Sequence, residues 1–475
     1  MEQAELTTDV LVLGGGGAGL RAAIEARRAG VDVVLASKQP AGGTSCTAHG
    51  AGYLTWCAEA ARDELRRQML VIGGCVNDPA MLDAFLADVP SRIPELTELG
   101  VALTCEEVVP GLGYWRTSGG EGRHPGYGLT GPLRQAADAA GVRIIDGAAA
   151  VRLLADGGAV AGAAVYEPGA DRLLCIGAKA TVLATGGGAA LWKRSDNPRG
   201  TTGDGFALAL EAGAALTHME FVSFNCPDLV AVLSGSADRE ATLARGSAHY
   251  FLGGVATDPD GHTTLDGLLA AGEVANGPHG AARLGGGAFA EIIIFGARAG
   301  AAAARRAGAV PTPALPDGAL DDEVARLARC RASGGPSPAQ LRRRLADIMW
   351  LHAGLLKDRA SLERAAGQLE ALAGDCQRTA AASPDELLLA EQTRLSCLTG
   401  LEVVRAALWR EESRGAFWRT DHPAPDNARW LVRRTVRIRE GRREVDVAPI
   451  ALPAGIDLPE PKIGAGCFGY LRGGD

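Results

Sequence analysis

Residues 9–38 read DVLVLGGGGAGLRAAIEARRAGVDVVLASK. The apolar run Val10–Leu13 reads as a buried strand, and a glycine turn, a helix and a second strand follow it. Gly14, Gly16 and Gly19 stand at G-x-G-x-x-G spacing directly after the first strand. Glycine meets three needs there: a tight turn, close approach of the backbone to a pyrophosphate, and hard packing of the helix on the strand. The helix that begins near Gly17 points its N-terminal N–H groups at the phosphates. This is the signature of a dinucleotide-binding βαβ unit.

A nicotinamide site usually ends its second strand in Asp or Glu, which holds the ribose hydroxyl. Here the strand ends Leu35-Ala36-Ser37-Lys38, with no acid, so the dinucleotide reads as FAD. Two further pieces converge on the same ligand. Residues 180–188 (ATVLATGGG) run an apolar strand into glycines, and residues 267–273 (GLLAAGE) form a third glycine-flanked strand. A return of this kind marks FAD proteins of the two-dinucleotide-binding class.

A chain of 475 residues is long enough for two or three domains with proper cores. The net charge is −8 and no basic stripe stands out, so nucleic acid is not an expected partner. No uninterrupted run of about 18 apolar residues is present, so no membrane span is expected. The first strand begins at once and leaves no room for a signal peptide, which points to a cytoplasmic protein. The ten cysteines form no C-x-x-C pair. A zinc site or iron–sulfur cluster within the chain is therefore not expected, and buried free thiols are.

Apolar spacing predicts helices at about 58–72 and 79–99. Short apolar runs broken by turns over 142–176 predict a small antiparallel meander. The segment 311–318 is Pro-rich and reads as a linker. Amphipathic helices are predicted over 337–356, 361–373 and 384–412, and a closing hairpin around Glu440-Gly441. The expected fold is α/β: a Rossmann-like FAD-binding domain over 1–310 with the small meander. A helical domain over 319–435 and a hairpin and tail over 436–475 follow.

At this point the chain resembles a family: the flavoprotein subunits of succinate dehydrogenase and fumarate reductase, with their relative L-aspartate oxidase. The residues that carry the likeness are 197–205 (NPRGTTGDG), 219–225 (MEFVSFN), 248–254 (AHYFLGG), 258–261 (DPDG) and 271–291 (AGEVANGPHGAARLGGGAFAE). In the helical part they are 348–358 (IMWLHAGLLKD) and 410–419 (REESRGAFWR). The resemblance implies hydride transfer between FAD and a carbon next to a carboxylate, with an Arg and a His holding that carboxylate. Those positions fall on Arg283 and His249, with Tyr250, Asn225 and Arg245 near the reacting group. A guanidinium fork suits a carboxylate because it donates two parallel hydrogen bonds.

For the cofactor, the resemblance implies contacts from Gly14, Gly16, Gly17, Ala18 and Gly19, from Ser37 and Lys38, and from Gly43, Thr44 and Ser45. It adds Val151, then Ala184, Thr185, Gly186 and Gly187, then Asp204 and Glu273. The last group is Arg283, Gly286, Ala288 and Phe289, at the start of a helix whose N–H groups face the flavin.

Four departures qualify the likeness. Thr44 stands where the dehydrogenases carry the His that attaches FAD, so the flavin is expected to be non-covalent. Asn225 replaces a His that helps hold a second carboxylate, and it carries no charge. Gly287-Ala288 replace the usual Asn-Ser. The family's capping domain reads as reduced or absent, since only 23 residues (226–248) separate Asn225 from His249, against a usual domain minimum of about 50. Two expected readings follow. One is an FAD enzyme acting beside a carboxylate on a small or carrier-bound substrate. The other is an electron-transfer subunit whose open flavin is covered by a partner chain or a second copy.

Overall fold

The computed structural model describes residues 1–156, 158–226, 245–313, 315, 318, 320–332 and 334–451. The strand Glu2–Leu13 is the axis of its main sheet. It pairs in parallel with Val33–Ser37 on one side, Val10 facing Val33, and with Arg172–Leu183 on the other, Leu13 facing Leu183. Arg143–Asp146 and Leu268–Ala270 add further parallel strands. Parallel strands are covered on both faces, so their side chains are apolar in an unbroken run. Val10 to Leu13 are all buried accordingly.

The helix Gly17–Arg28 covers one face, and the helix Gly287–Ala309 packs against it. A Cβ at Gly300 would lie 2.3 Å from the Ala22 carbonyl oxygen, so glycine alone permits this backbone-to-backbone contact. Residues Ile292 to Phe295 are buried there, each side chain contributing about 1.5–3 kcal/mol relative to exposure. By length and composition this helix is apolar enough to cross a membrane, although Glu291 and Arg298 interrupt its apolar run. Of its most apolar window, 78% is buried inside the protein, which is the state of a core helix.

The predicted meander needs correction. Ala149–Asp156, Ala159–Glu167 and Arg172–Leu183 are antiparallel neighbours, but they belong to the main sheet. Arg143–Asp146 is no part of a meander; it runs parallel to Val33–Ser37. A second, three-stranded antiparallel sheet (Tyr53–Cys57, Thr104–Val109, Leu112–Arg116) was not anticipated. Tyr114, Trp115 and Arg116 lie in its middle strand.

The later helices are Pro338–His352, Arg359–Cys376 and Pro384–Trp409, each starting at a side-chain cap: Ser337, Asp358 and Ser383. Such a cap satisfies an otherwise orphaned N–H and contributes about 1 kcal/mol. A fourth helix, Asp321–Ala332, follows the Pro-rich segment, which lies partly outside the described residues. The long helix Pro384–Trp409 reaches the nucleotide fold. Its Ser396 and Thr399 hydroxyls donate to the carbonyls of Thr202 (2.6 Å) and Gly203 (2.7 Å). The C-terminal hairpin, Val432–Arg439 with Arg442–Pro449, turns at Glu440-Gly441 as expected, both at positive φ.

Candidate active site

A cavity opens at the carboxyl ends of the parallel strands, where ligands of open α/β sheets bind. Its floor is the glycine turn. Gly14 has φ +117°, and a Cβ there would lie 2.2 Å from the Ala184 carbonyl oxygen. A Cβ on Gly19 would lie 1.9 Å from the Gly14 carbonyl oxygen, so this glycine seats the helix on the turn and does not line the cavity. Gly16 is different: nothing lies closer than 3.6 Å to its would-be Cβ, which leaves room for a ligand at the helix N-terminus.

The three separated pieces converge as expected. Ser37 and Lys38, Thr44 and Ser45, Ala184 to Gly186, Asp204, Glu273, Gly286, Ala288 and Phe289 all line the cavity with Gly14, Gly16, Gly17 and Ala18. Besides Gly19, three expected contacts do not. Val151 points its side chain into a separate apolar cluster, while Ala148, Ala149 and Ala150 line the wall. Gly43 packs on Pro40, and Gly187 abuts the Glu273 carboxyl.

The polar groups of the cavity fit a hydroxyl-rich dinucleotide. Lys38 Nζ is committed to Asp204 Oδ2 (2.8 Å) and Thr202 Oγ1 (2.7 Å), which locks the second strand to the returning loop. Asp204 Oδ1 and Thr185 Oγ1 are buried with no protein partner, so both are available to a ligand. Burial pushes the Glu273 carboxyl up to about 8, against the opposing pull of the Phe251 N–H and Arg283, so it is protonated at neutral pH. Cys46 also lines the wall, but desolvation pushes its thiol up to about 12, so it is a neutral thiol.

At the far end of the cavity, the guanidinium of Arg283 lies over the Tyr250 ring, 4.5 Å from its centroid. Arg283 is 9% exposed, and its buried Nε has no partner among the described residues. Its terminal nitrogen sits 3.2 Å from His249 Nε2. Beneath, Tyr250 donates to Glu291 at 2.5 Å, and His279 Nε2 lies 3.0 Å from the same oxygen. On the other side, His249 Nδ1 lies 3.0 and 3.1 Å from the two oxygens of Asp196, and Asn225 also donates to Asp196. Asn225 therefore joins this cluster without lining the cavity. Arg245 is exposed in the turn before the strand Ser247–Phe251. Most of the short segment 226–248, with Arg239, lies outside the described residues.

Sequence reasoning missed Asp196, His279 and Glu291. The last two stand inside a quoted motif, flanked by glycines that allow close packing: a Cβ at Gly277 would lie 2.3 Å from Glu291 Oε1. Asp196 is a polar loop residue one position before the quoted motif 197–205, which does not include it.

Fold and cavity together define an FAD-binding oxidoreductase. The sequence matches the family described as FAD binding domain over residues 9–247 and 238–288, and the one described as fumarate reductase flavoprotein C-term over 342–456. It is 32% identical to the L-aspartate oxidase of Halobacterium salinarum, over 89% of this chain and 98% of that one. It is 27% identical to a fumarate reductase (CoM/CoB) subunit of Methanothermobacter marburgensis, over 89% and 96%. The fold matches the Sdh1 complex of Mycobacterium smegmatis in its apo form, with TM-score 0.84 at 25% identity, over 99% of this chain and 98% of that one. The chain belongs to the fumarate reductase and L-aspartate oxidase family of flavoproteins; it is an FAD-dependent oxidoreductase. The alignment to the Halobacterium protein runs over 528 positions, more than the 475 residues of this chain, so that relative carries residues with no counterpart here.

Proposed function

We propose that this enzyme oxidises or reduces a C–C or C–N bond next to a carboxylate, on a small or carrier-bound substrate, and that Arg283 anchors that carboxylate. FAD, when bound, supplies the hydride acceptor or donor. The observation that carries the reading is the state of Arg283. A buried donor without a partner costs about 1–3 kcal/mol, and Arg283 Nε is such a donor at the wall of the FAD cavity. A ligand carboxylate supplies the missing acceptor and pairs the charge. Tyr250 supports the guanidinium from below, and His249 stands beside it at the cavity wall.

Thr44 lines the cavity and has no group able to attach the flavin, which supports non-covalent binding. The match to the FAD-binding family breaks into two pieces that meet between residues 238 and 247. With the surplus positions of the aligned relative, this supports a capping element much shorter than in that relative. A shorter cap favours a substrate bulkier than a C4 diacid, or one presented on a carrier.

Anaerobic titration of the purified flavoprotein with a panel of carboxylates and amino acids tests the reading. The expected result is bleaching of the flavin by at least one member. If no carboxylate bleaches the flavin or perturbs its spectrum, the reading fails. The second reading, an electron-transfer subunit covered by a partner chain, is favoured by the Methanothermobacter relative, which is named as one subunit of its enzyme. It predicts bleaching only after a partner is restored.

A further inference from the structure

The hydrogen bonds around His249 fix which of its nitrogens carries the proton. Arg283 can only donate, and its terminal nitrogen lies 3.2 Å from Nε2. A neutral imidazole must therefore accept at Nε2 and carry its proton on Nδ1. Asp196 meets that proton, with oxygens 3.0 and 3.1 Å from Nδ1. The Asn225 amide nitrogen also lies 3.2 Å from Nδ1, but it is closer to the Asp196 carboxylate and donates there. In this tautomer Nε2 offers a carboxylate no proton, so the anion clamp is Arg283, and when its guanidinium turns to the carboxylate it frees the Nε2 lone pair of His249 beside it.

We propose that Asp196 is a positioning residue that makes His249 the proton-exchanging group of the reaction. Oxidation of a bond beside the carboxylate removes a hydride from one atom, passed to the flavin, and a proton from its neighbour. Nε2 of His249 takes that proton and its bond to the substrate atom breaks; in the reverse direction Nε2 returns it. Asp196 stabilises the imidazolium formed. The fold sets up the dyad across 53 residues of sequence. The loop around Ser195 bridges Ala248, Ala248 N donates to the Arg194 carbonyl at 2.9 Å, and Asn197 Nδ2 donates to the His249 carbonyl at 2.5 Å. The side chains of His249 and Asp196 are 28% and 33% exposed, so the proton has a short path to solvent.

The proposal rests on the carboxylate reading above, and Asp196→Asn in the FAD-loaded protein separates the two. An Asn amide can donate to Nδ1 and shift the proton to Nε2, where it blocks acceptance. Nitrogen-15 histidine NMR, with His249→Gln to assign the signal, should show Nδ1–H in the parent and Nε2–H in Asp196→Asn. Flavin reduction by the member of the carboxylate and amino-acid panel that bleaches the parent should slow by about 10²–10⁴-fold and recover in part in Asp196→Glu. Malonate binding, read from the flavin spectrum, should stay within about threefold. An unchanged tautomer, or flavin turnover in Asp196→Asn within threefold of the parent, overturns the proposal. A parent protein whose flavin spectrum ignores malonate overturns the carboxylate reading instead, and the tautomer result still decides the role of Asp196.

Discussion

Arg283→Lys keeps the positive charge of the anion site and removes its shape. The planar fork of Arg283 offers two parallel donors, whereas a lysine ammonium is a point charge on a flexible stem. One charge-assisted hydrogen bond is lost, worth about 1.5–3 kcal/mol. The guanidinium also stacks on Tyr250 at 4.5 Å, and part of that cation–π contact, about 0.5–1 kcal/mol, goes with it. Because the stack is present with and without ligand, the lost bond alone sets the effect, roughly 10- to 150-fold in malonate affinity or in kcat/KM. The fold should notice only the part of the Tyr250 stack and of the 3.2 Å contact to His249 that a lysine cannot keep, since Arg283 Nε has no partner to lose. FAD content and thermal midpoint should stay near those of the parent. Malonate binding is read by flavin difference absorbance, kcat/KM by anaerobic stopped flow, and stability by thermal unfolding of the same samples. Unchanged malonate affinity, or a loss of FAD in place of anion binding, would refute the assignment of Arg283 as the clamp.

Gly14→Ala places a methyl against the Ala184 carbonyl at a positive φ that alanine rarely adopts. Strain of about 1–3 kcal/mol should lower FAD affinity roughly 5- to 100-fold, seen as a colourless purified protein. Acid precipitation of the parent should leave the yellow colour in the supernatant, since Thr44 cannot hold the flavin covalently; flavin in the pellet would contradict this. Glu273 titrates at about 8 in the folded, cofactor-free protein against an ordinary 4.5. Its contribution to stability is therefore complete below pH 4.5 and lost as pH rises through 8. Denaturant unfolding of the apoprotein between pH 5 and 9 should show this decline, of a few kcal/mol, and Glu273→Gln should flatten it. Arg410 is fully buried between Glu220 and Glu412, and despite burial its charge helps hold Glu220 down at about 2. Arg410→Ala leaves Glu220 buried without its arginine, while Glu412 keeps Arg414, and should cost about 3–5 kcal/mol, seen as a lower denaturation midpoint.

The cofactor half of the site was legible in the sequence because its chemistry is done by backbone. A glycine that must avoid the Ala184 carbonyl, or seat a helix where a Cβ would lie 1.9 Å from another residue's oxygen, can be nothing else, so spacing alone reports it. The same logic failed for the strands. Apolar runs with turns look alike whether their partners run parallel or antiparallel, so Arg143–Asp146 was grouped with its sequence neighbours when its partner is Val33–Ser37. The strand Arg172–Leu183 compounded the error. It pairs antiparallel with Ala159–Glu167 early and parallel with Leu268–Ala270 late, a change of partner that no local pattern records.

The substrate half is built the opposite way, from side chains whose partners are remote. Arg283 and His249 were found through their motifs, but their present state depends on Tyr250, Glu291, His279 and Asp196. None of these four is chosen by periodicity or by a cap. Asn225 shows the consequence. Read alone, it is a lost cation in the substrate site. In the structure it donates to Asp196, whose carboxylate faces His249. The exchange of a basic residue for Asn225 thus adds no empty place: it leaves Asp196 held between an amide and an imidazole, with one negative charge directed at the His249 proton. Among the described residues, a site so arranged has one cation at its substrate end, Arg283, and one base whose proton is held away from the cavity. Which carboxylates that charge pattern accepts is what the carboxylate panel measures.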